Sequence, residues 1–345
     1  MNINELGRLG SSDLRVTRLG FGCVPIANLY SIVSDEESLA TVRAAYDAGI
    51  RLFDTAPQYG HGLGEHRLGD ALRWHPRDKY LVSTKVGRLL RPVPPERADG
   101  KQFKQILPFM YDFDYSYDAV MRSLEDSLNR LGMHKTDILL VHDIDSWSHG
   151  DRWPDVLDAF MSSGYRALRK LRDEGVVAAI GGGMNFVEPC QQMALRGDFD
   201  CFLLAGRYTL LEQGAIDEFL PICEQKDISL MIGGPFNSGI LVTGSALNPH
   251  YNYAPADAAV VERVRRIEKV CANHSVPLPA AALQFPLAHP NVAAVVPGAR
   301  STAEIQSNMR WVAHPIPQEF WNELQAEGLL RDEVPIPEAP MGTTG

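Results

Sequence analysis

The sequence predicts an α/β protein built as a (β/α)8 barrel, and three observations carry that prediction. Short, continuously apolar runs alternate with stretches of helical spacing along most of the 345 residues. Strands buried on both faces of a parallel sheet read as such unbroken runs. Eight run-then-helix units can be counted, which favours a closed barrel over an open doubly wound sheet. No G-x-G-x-x-G joins the first run to its helix, where the chain reads Gly20–Pro25 (GFGCVP), so a dinucleotide-binding open sheet is disfavoured.

The elements follow in order. Leu6–Arg15 places Gly and Ser-Asp between apolar residues and predicts a hairpin ahead of the barrel. Arg18–Cys23 reads as the first strand and Glu37–Ala48 as its helix. Arg51–Thr55 is the second strand, followed by a helix over Gly64–Arg73. Tyr80–Lys85 is the third. Ser116 is placed to cap a helix running to Leu131. Asp137–His142 is the fourth strand, with a helix over Ser163–Glu174. Val177–Gly181, Cys201–Ala205 and Ser229–Ile232 are the next three strands, with helices at Glu188–Leu195 and Ala215–Lys226 between them. Helices over Ala256–Asn273 and Ala280–Ala288 lead to the last strand, Val292–Val296, and a final helix begins near Ala303.

Two segments break the rhythm. Arg91–Tyr115 carries Pro92, Pro94, Pro95 and Pro108 without periodicity and reads as a long loop after the third strand; loops of that length are often functional. Residues 335–345 are rich in Pro, Gly and Thr and read as a loosely ordered tail. No internal repeat and no domain boundary is visible, so residues 1–345 are expected to form a single domain.

Composition narrows the function. Apolar residues make up 45%, enough for a sizeable core. The 33 basic residues face 43 acidic ones, a formal charge of -10, which is the wrong sign for a nucleic-acid binder. No run is long enough to span a bilayer and no secretory signal is visible, so a cytoplasmic protein with no membrane partner is the expectation. Five cysteines with no CxxC pair argue against a disulfide framework or structural zinc, and most are expected to act as small buried hydrophobes.

Catalytic groups of such barrels sit at the C-terminal ends of the strands. The second strand ends in Asp54, with Tyr59 five residues on. The third ends in Lys85 and the fourth in His142. Together they fit one proton-transfer site. A tyrosine is a poor base near neutrality. A neighbouring ammonium such as Lys85 favours tyrosinate, Asp54 can fix that ammonium, and His142 can orient a substrate oxygen or share in proton transfer. Taken singly, each has a plain structural alternative: a strand-end turn, a rim aromatic, a snorkelling lysine, a satisfied buried histidine. Four at the ends of consecutive strands make those alternatives improbable. No further group of His and carboxylate ligands stands at the strand ends beyond His142 and Asp143. A metal-dependent hydrolase is therefore disfavoured and no metal is expected.

At these residues the sequence resembles the aldo-keto reductase superfamily, over nearly the whole chain from Leu14 to Trp311. Ala48–Gly60 (AGIRLFDTAPQYG) resembles the family's second-strand signature, and Gly64–Gly69 (GEHRLG) follows it. Ser83–Lys85 (STK), Asp137–His142, Gly183–Asn185 and Pro297–Ala299 match later motifs. The resemblance implies that Asp54, Tyr59, Lys85 and His142 form the catalytic tetrad. It also implies a nicotinamide cofactor bound across the barrel mouth, along Gly22, Cys23, Asp54, Met184, Asn185, Gly233, Gly234, Pro235, Phe236, Asn237, Ser238, Gly239, Leu241, Gly298, Ala299, Arg300, Glu304 and Asn308. Asn185 falls where the family holds the carboxamide. Gly233 falls where many members stack an aromatic on the nicotinamide, which leaves that contact to another residue, with Phe236 the candidate. Gly233–Gly239 (GGPFNSG) suits a loop whose backbone N–H groups approach a pyrophosphate; an ordinary strand-to-helix turn is the alternative.

Many members place a lysine at the position of Gly298 and an arginine at that of Glu304, both serving the 2′-phosphate of NADP. Both cations are absent here. A carboxylate at 304 repels a phosphate and can accept a bond from a ribose hydroxyl, so NAD is favoured, with NADP still possible. Arg300 remains as a phosphate or adenine contact.

Within the superfamily the resemblance is to aldose 1-dehydrogenases, acting on L-fucose and D-threo-aldoses, and to pyridoxal 4-dehydrogenase. It is carried by Asp112–Ser116, Arg122–Gly132, Ala205–Gln213 and Gly233–Leu241. It implies oxidation of a cyclic hemiacetal to a lactone. Trp147, Arg207 and the Arg91–Tyr115 loop are the candidate substrate contacts, and rim packing or a rim salt bridge is the alternative for the first two. The expected partner is a small sugar or pyridoxal-like molecule. Competing readings are a general NADPH-dependent carbonyl reductase and a cofactor-binding channel β subunit, for which no docking surface is apparent.

Overall fold

The computed structural model describes residues 5–246 and 248–338. Among them, eight parallel strands pair in chain order: β1 (Phe21–Gly22), β2 (Leu52–Asp54), β3 (Leu81–Val86), β4 (Ile138–His142), β5 (Ala179–Met184), β6 (Cys201–Ala205), β7 (Ser229–Gly233) and β8 (Val292–Val296). The ring closes between β8 and β1. Leu19 bridges Val295 and Gly22 bridges Gly298, and the Gly20 N–H donates to the Val295 carbonyl at 2.8 Å. The fold is the (β/α)8 barrel that the alternation of apolar and amphipathic runs predicts.

The pleat explains why the strands carry no polar face. Leu52, Ile138, Leu140, Leu203 and Met231 fill the barrel interior. Their neighbours Phe53, Leu139, Phe202, Leu230 and Ile232 turn outward into the layer shared with the helices. Each such fully buried side chain contributes about 1.5–3 kcal/mol of transfer free energy. Helix starts follow local chemistry. Ser34, Ser116, Asp257 and Ser301 accept hydrogen bonds from Glu37, Ala119, Val260 and Glu304, satisfying first-turn N–H groups.

The N-terminal hairpin is present, Leu6–Arg8 pairing antiparallel with Arg15–Thr17. It seals the floor of the barrel. Leu9 and Val16 pack onto the interior cluster, and the Ser229 hydroxyl accepts from the Gly10 N–H at 2.8 Å at the start of β7.

Several elements depart from the sequence reading. Arg91–Tyr115 is not an irregular loop throughout. Arg88–Pro92 pairs antiparallel with Phe109–Phe113, forming a ribbon that rises from the end of β3. Its strands are short, and the prolines between them mask the pattern; Pro92 sits at a strand end, where its missing N–H is harmless. Helices at Ser146–His149, Trp153–Ser162 and Gln318–Ala326 have no counterpart in the sequence reading, and neither does a small hairpin of His250–Tyr251 with Ala254–Pro255. The expected helix over Ala215–Lys226 divides into a turn at Gly214–Ile216 and a helix at Phe219–Gln225, whose first turn accommodates Pro221. Of the expected tail, residues 335–338 are described and Ile336 packs against the core; the rest lies outside the described residues. No described helix is long and apolar enough to cross a membrane.

Candidate active site

The strand ends bring the four expected residues together. Asp54 closes β2, Lys85 lies one residue from the end of β3, and His142 closes β4. Tyr59 stands on the turn after β2, where the Tyr59 N–H donates to the Ala56 carbonyl. The Lys85 ammonium is the hub. Its Nζ donates to Asp54 Oδ1 and Oδ2 at 2.9 and 2.7 Å, to the Thr55 carbonyl at 2.9 Å, and lies 3.0 Å from Tyr59 Oη. Lys85 is 1% exposed, so this is an ion pair wholly inside the barrel. Its stem crosses β5, where a Cβ on Gly183 would stand 2.9 Å from Lys85 Cε; a glycine is needed there. The His142 ring meets Tyr59 edge-on, with centroids 5.9 Å apart.

The electrostatics differ from the sequence expectation at one point. Lys85 was expected to lower the tyrosine. Instead, burial first, and then the charges of Asp54 and Asp143, hold the Tyr59 phenol well above its usual range. Burial disfavours the phenolate most, and the Asp54 carboxylate that pairs with Lys85 opposes the ammonium from the same side. Burial also raises the Asp54 carboxyl, against the opposing pull of Lys85. Burial, with Arg88 and Lys85 nearby, pushes His142 well below its ordinary value, so the imidazole is neutral.

The residues expected to hold a cofactor line the same mouth. Gly22 and Cys23 lie at the end of β1, and Met184 and Asn185 at the end of β5. The Cys23 thiol is fully buried and its pKa is driven well up by burial. After β7 the loop takes left-handed backbone at Gly234, Asn237, Ser238 and Gly239, with φ of 54°, 46°, 60° and 99°. This curls Gly233, Gly234, Pro235 and their successors into a cradle ahead of the short helix Ile240–Thr243, which contains Leu241. Asn237 Oδ1 is buried there without a partner. The cradle, the orphaned acceptor and the Ser238 hydroxyl fit a ligand bearing phosphates and hydroxyls. The Phe236 ring in this loop lies edge-on to Trp311, with centroids 6.0 Å apart.

Beyond β8, Ala299 and Asn308 are buried. A Cβ on Gly298 would meet Pro25 Cγ at 2.5 Å, so the Pro25 ring crowds out a side chain at that position. Arg300 and Glu304 pair with each other at 3.2 Å on the rim.

Trp147 and Arg207 come together as well. The Arg207 guanidinium lies 5.7 Å from the Trp147 ring centroid and 5.6 Å from that of Phe186. Its Nε donates to the Asn185 carbonyl at 2.9 Å, and Nη1 to Asn252 Oδ1 at 2.9 Å. Trp147 is half-exposed, edge-on to Phe186 at 4.7 Å and to Tyr253 at 6.1 Å. Phe103, from the Pro-rich segment, stacks 6.4 Å from Tyr59. Phe103 lies in the loop the sequence reading named, whereas Phe186, Asn252 and Tyr253 escaped it. Their segments carry no periodic signal, and only the fold brings them to the mouth.

A closed parallel barrel with a buried Asp–Lys–Tyr cluster and a neutral histidine at its C-terminal end defines a class of proton-transferring barrel enzymes. The aldo/keto reductase family model matches residues 18–327, and the chain belongs to that family of oxidoreductases, which use nicotinamide cofactors. It is 42% identical over 340 residues to a pyridoxal 4-dehydrogenase of Microbacterium luteolum, covering 96% of this chain and 99% of that protein. It is 38% identical to a D-threo-aldose 1-dehydrogenase of a Pseudomonas species, covering 93% and 96%. Among solved structures, an aldo-keto reductase of Bacillus halodurans shares the fold with a TM-score of 0.72 at 23% identity, covering 93% of this chain and 95% of that one. The resemblance read from the motifs is thus borne out.

Proposed function

We propose that this chain is an NAD-dependent dehydrogenase that oxidises the hemiacetal carbon of an aldose, such as L-fucose or a D-threo-aldose, to the lactone. The observation that carries the reading is the Lys85 ammonium shared between Asp54 and Tyr59. Asp54, Tyr59, Lys85 and His142 are its catalytic residues. Tyr59 Oη, as the phenolate or through its hydrogen-bond network, accepts the hydroxyl proton of the substrate. Lys85 holds the phenol in place and stabilises its anion, and Asp54 keeps the lysine charged and fixed. His142 Nε2 orients the reacting oxygen. A bound oxidised nicotinamide supplies the hydride acceptor and a positive charge that offsets the burial penalty on tyrosinate.

The cradle from Gly233 to Leu241 would hold the cofactor, with Asn185 toward its carboxamide and Arg300, Glu304 and Asn308 toward its adenosine. The choice of NAD is supported by Glu304, a carboxylate at the position where many family members carry an arginine serving the 2′-phosphate, which it would repel. The same argument disfavours a general NADPH-dependent carbonyl reductase. The substrate faces Arg207 and Asn252, two polar groups suited to hydroxyls, with Trp147 as a flat wall for a sugar ring.

A second reading, pyridoxal oxidation, is supported by the aromatic set Trp147, Phe186 and Tyr253, which equally forms a slot for a pyridine ring, and by the similarity to the Microbacterium enzyme. Absorbance at 340 nm separates the two. Purified protein is given NAD⁺ or NADP⁺ with L-fucose, D-arabinose, L-galactose or pyridoxal. Turnover of a sugar with NAD⁺, lost in Tyr59→Phe, is the expected result. Turnover of pyridoxal alone selects the second reading, and reduction of carbonyls by NADPH alone overturns both.

A further inference from the structure

One buried ion pair joins the site to a segment outside the barrel wall. Arg88 opens the ribbon and turns inward, 4% exposed. Its Nη2 donates to Asp143 Oδ2 at 2.6 Å, and its guanidinium lies 5.0 Å from the ring centroids of both Tyr111 and Phe113 on the opposite ribbon strand. Asp143 directly follows His142. Its backbone is left-handed, φ 43°, pinned by its own N–H on the Gly183 carbonyl at 3.0 Å. A non-glycine residue in that conformation is uncommon and needs such support.

The Asp143 carboxyl group meets both His142 and Asn185. Oδ1 accepts from Asn185 Nδ2 at 3.1 Å, and Oδ2 lies 3.3 Å from His142 Nε2. His142 Nδ1, by contrast, is buried without any partner. A neutral imidazole has one N–H and one bare nitrogen. An orphaned buried acceptor is easier to tolerate than an orphaned buried N–H. The proton therefore belongs on Nε2, facing the carboxylate and the mouth, with the bare nitrogen inside.

We propose that Asp143, anchored by Arg88, is a positioning residue that fixes the Nε2–H form of His142 and aligns the Asn185 amide. The ribbon after β3 thereby becomes part of the working geometry of the site. The inference rests on the roles given above to His142 and Asn185. Its mechanism is electrostatic. The carboxylate attracts the imidazole proton to one nitrogen and holds the amide by its N–H, and the guanidinium keeps the carboxylate in place. Groups facing Asp143 are Arg88 from the ribbon, Lys85 from β3, Asp145 from the β4 loop, Tyr59 from the β2 loop and Tyr253 from the small hairpin.

The test reads the imidazole directly. In ¹⁵N-histidine-labelled protein, with the His142 signals identified by their loss in His142→Gln, wild type should show an Nε2–H ring. In Asp143→Asn the ring nitrogens should move toward a mixture of both forms. NADH affinity, followed by fluorescence titration, should weaken about tenfold as Asn185 loosens, with partial recovery in Asp143→Glu. Asp143→Asn leaves the Arg88 charge unpaired and can fail to fold; the neutral pair Arg88→Met/Asp143→Asn is then read in the same way. An Nδ1–H ring in wild type overturns the proposal without any variant. So do unchanged ring shifts and NADH affinity in either folded variant. Neither readout needs a substrate, so a silent substrate panel beside the expected ring shifts would count against the substrate reading alone.

Discussion

Glu304 grips Arg300 through both carboxylate oxygens: Oε2 accepts the Arg300 main-chain N–H at 2.8 Å, and Oε1 accepts from Nε and Nη2 of the guanidinium at 3.3 and 3.2 Å. Both side chains are exposed, so the pair adds little to stability, about 0–1 kcal/mol. Its consequence is for selectivity. Glu304→Gln should raise the efficiency with NADP⁺ relative to NAD⁺ by about tenfold, or ~1.4 kcal/mol, with an unchanged melting temperature. The ratio of kcat/KM for the two cofactors measures this, and an unchanged ratio would sink the role given to Glu304.

Gly298→Lys should not produce the same change. The new Cβ would stand 2.5 Å from Pro25 Cγ. Overpacking of this kind costs about 1–3 kcal/mol. The expected outcome is a lower urea midpoint and no gain with NADP⁺. A stable variant that prefers NADP⁺ would show that the β8 end yields more readily than its packing implies.

Two substitutions in the central cluster should separate chemistry from folding. Tyr59→Phe removes one hydroxyl; it should lower kcat/KM by about 10²–10⁴ while stability changes by about 1 kcal/mol or less. Lys85→Met leaves Asp54 buried without its cation and should cost about 3–5 kcal/mol in stability as well as activity. Urea melts beside initial rates test the contrast. Equal stability losses would mean that the Asp54–Lys85 pair is not the uncompensated charge its burial implies.

The pH dependence follows from burial. Because the Tyr59 phenol is held above its usual range, the oxidation rate should climb with pH from neutrality well into the alkaline region. Asp143 acts on stability. Burial raises its carboxyl from 3.8 to about 6 in the fold. The folded chain therefore holds the proton longer than the unfolded one. The stabilising contribution is complete below 3.8 and is lost as pH rises through about 6. Wild type should lose stability relative to Arg88→Met/Asp143→Asn over that interval. A difference that is flat with pH would contradict the assignment.

Trp147→Ala should act on substrate binding alone. The side chain is half-exposed, so stability should shift by no more than about 0.5 kcal/mol. The KM for the sugar or pyridoxal should rise while the Kd for NADH stays constant. A rise in both would place Trp147 over the cofactor instead.

What the sequence disclosed tracks how local each cause is. β6 and β8 stand where their apolar runs lie, and the Ser116 cap begins its helix as expected, because pleat and cap are set by adjacent residues. The four strand-end residues were legible because the barrel brings all strand ends to one face. The ribbon was not, since Arg88 and Phe113 pair across 24 intervening residues that carry four prolines and no period-2 alternation. Arg88 and Asp143 were missed as a pair for the same reason: their ion pair spans 55 positions and leaves no periodic trace. The sign of the Tyr59 shift was misjudged because burial and the Asp54 counter-charge exist only once the chain has folded.

The hairpin beneath the barrel carries a practical corollary. Leu9 and Val16 stopper the end opposite Tyr59 and Trp147. A tether or carrier protein joined ahead of Leu6 would hang from the underside, leaving the mouth facing the bulk solution. Immobilised from that side, the enzyme should present its working end to dissolved reactants. Attachment near His250–Pro255 would crowd the entrance instead.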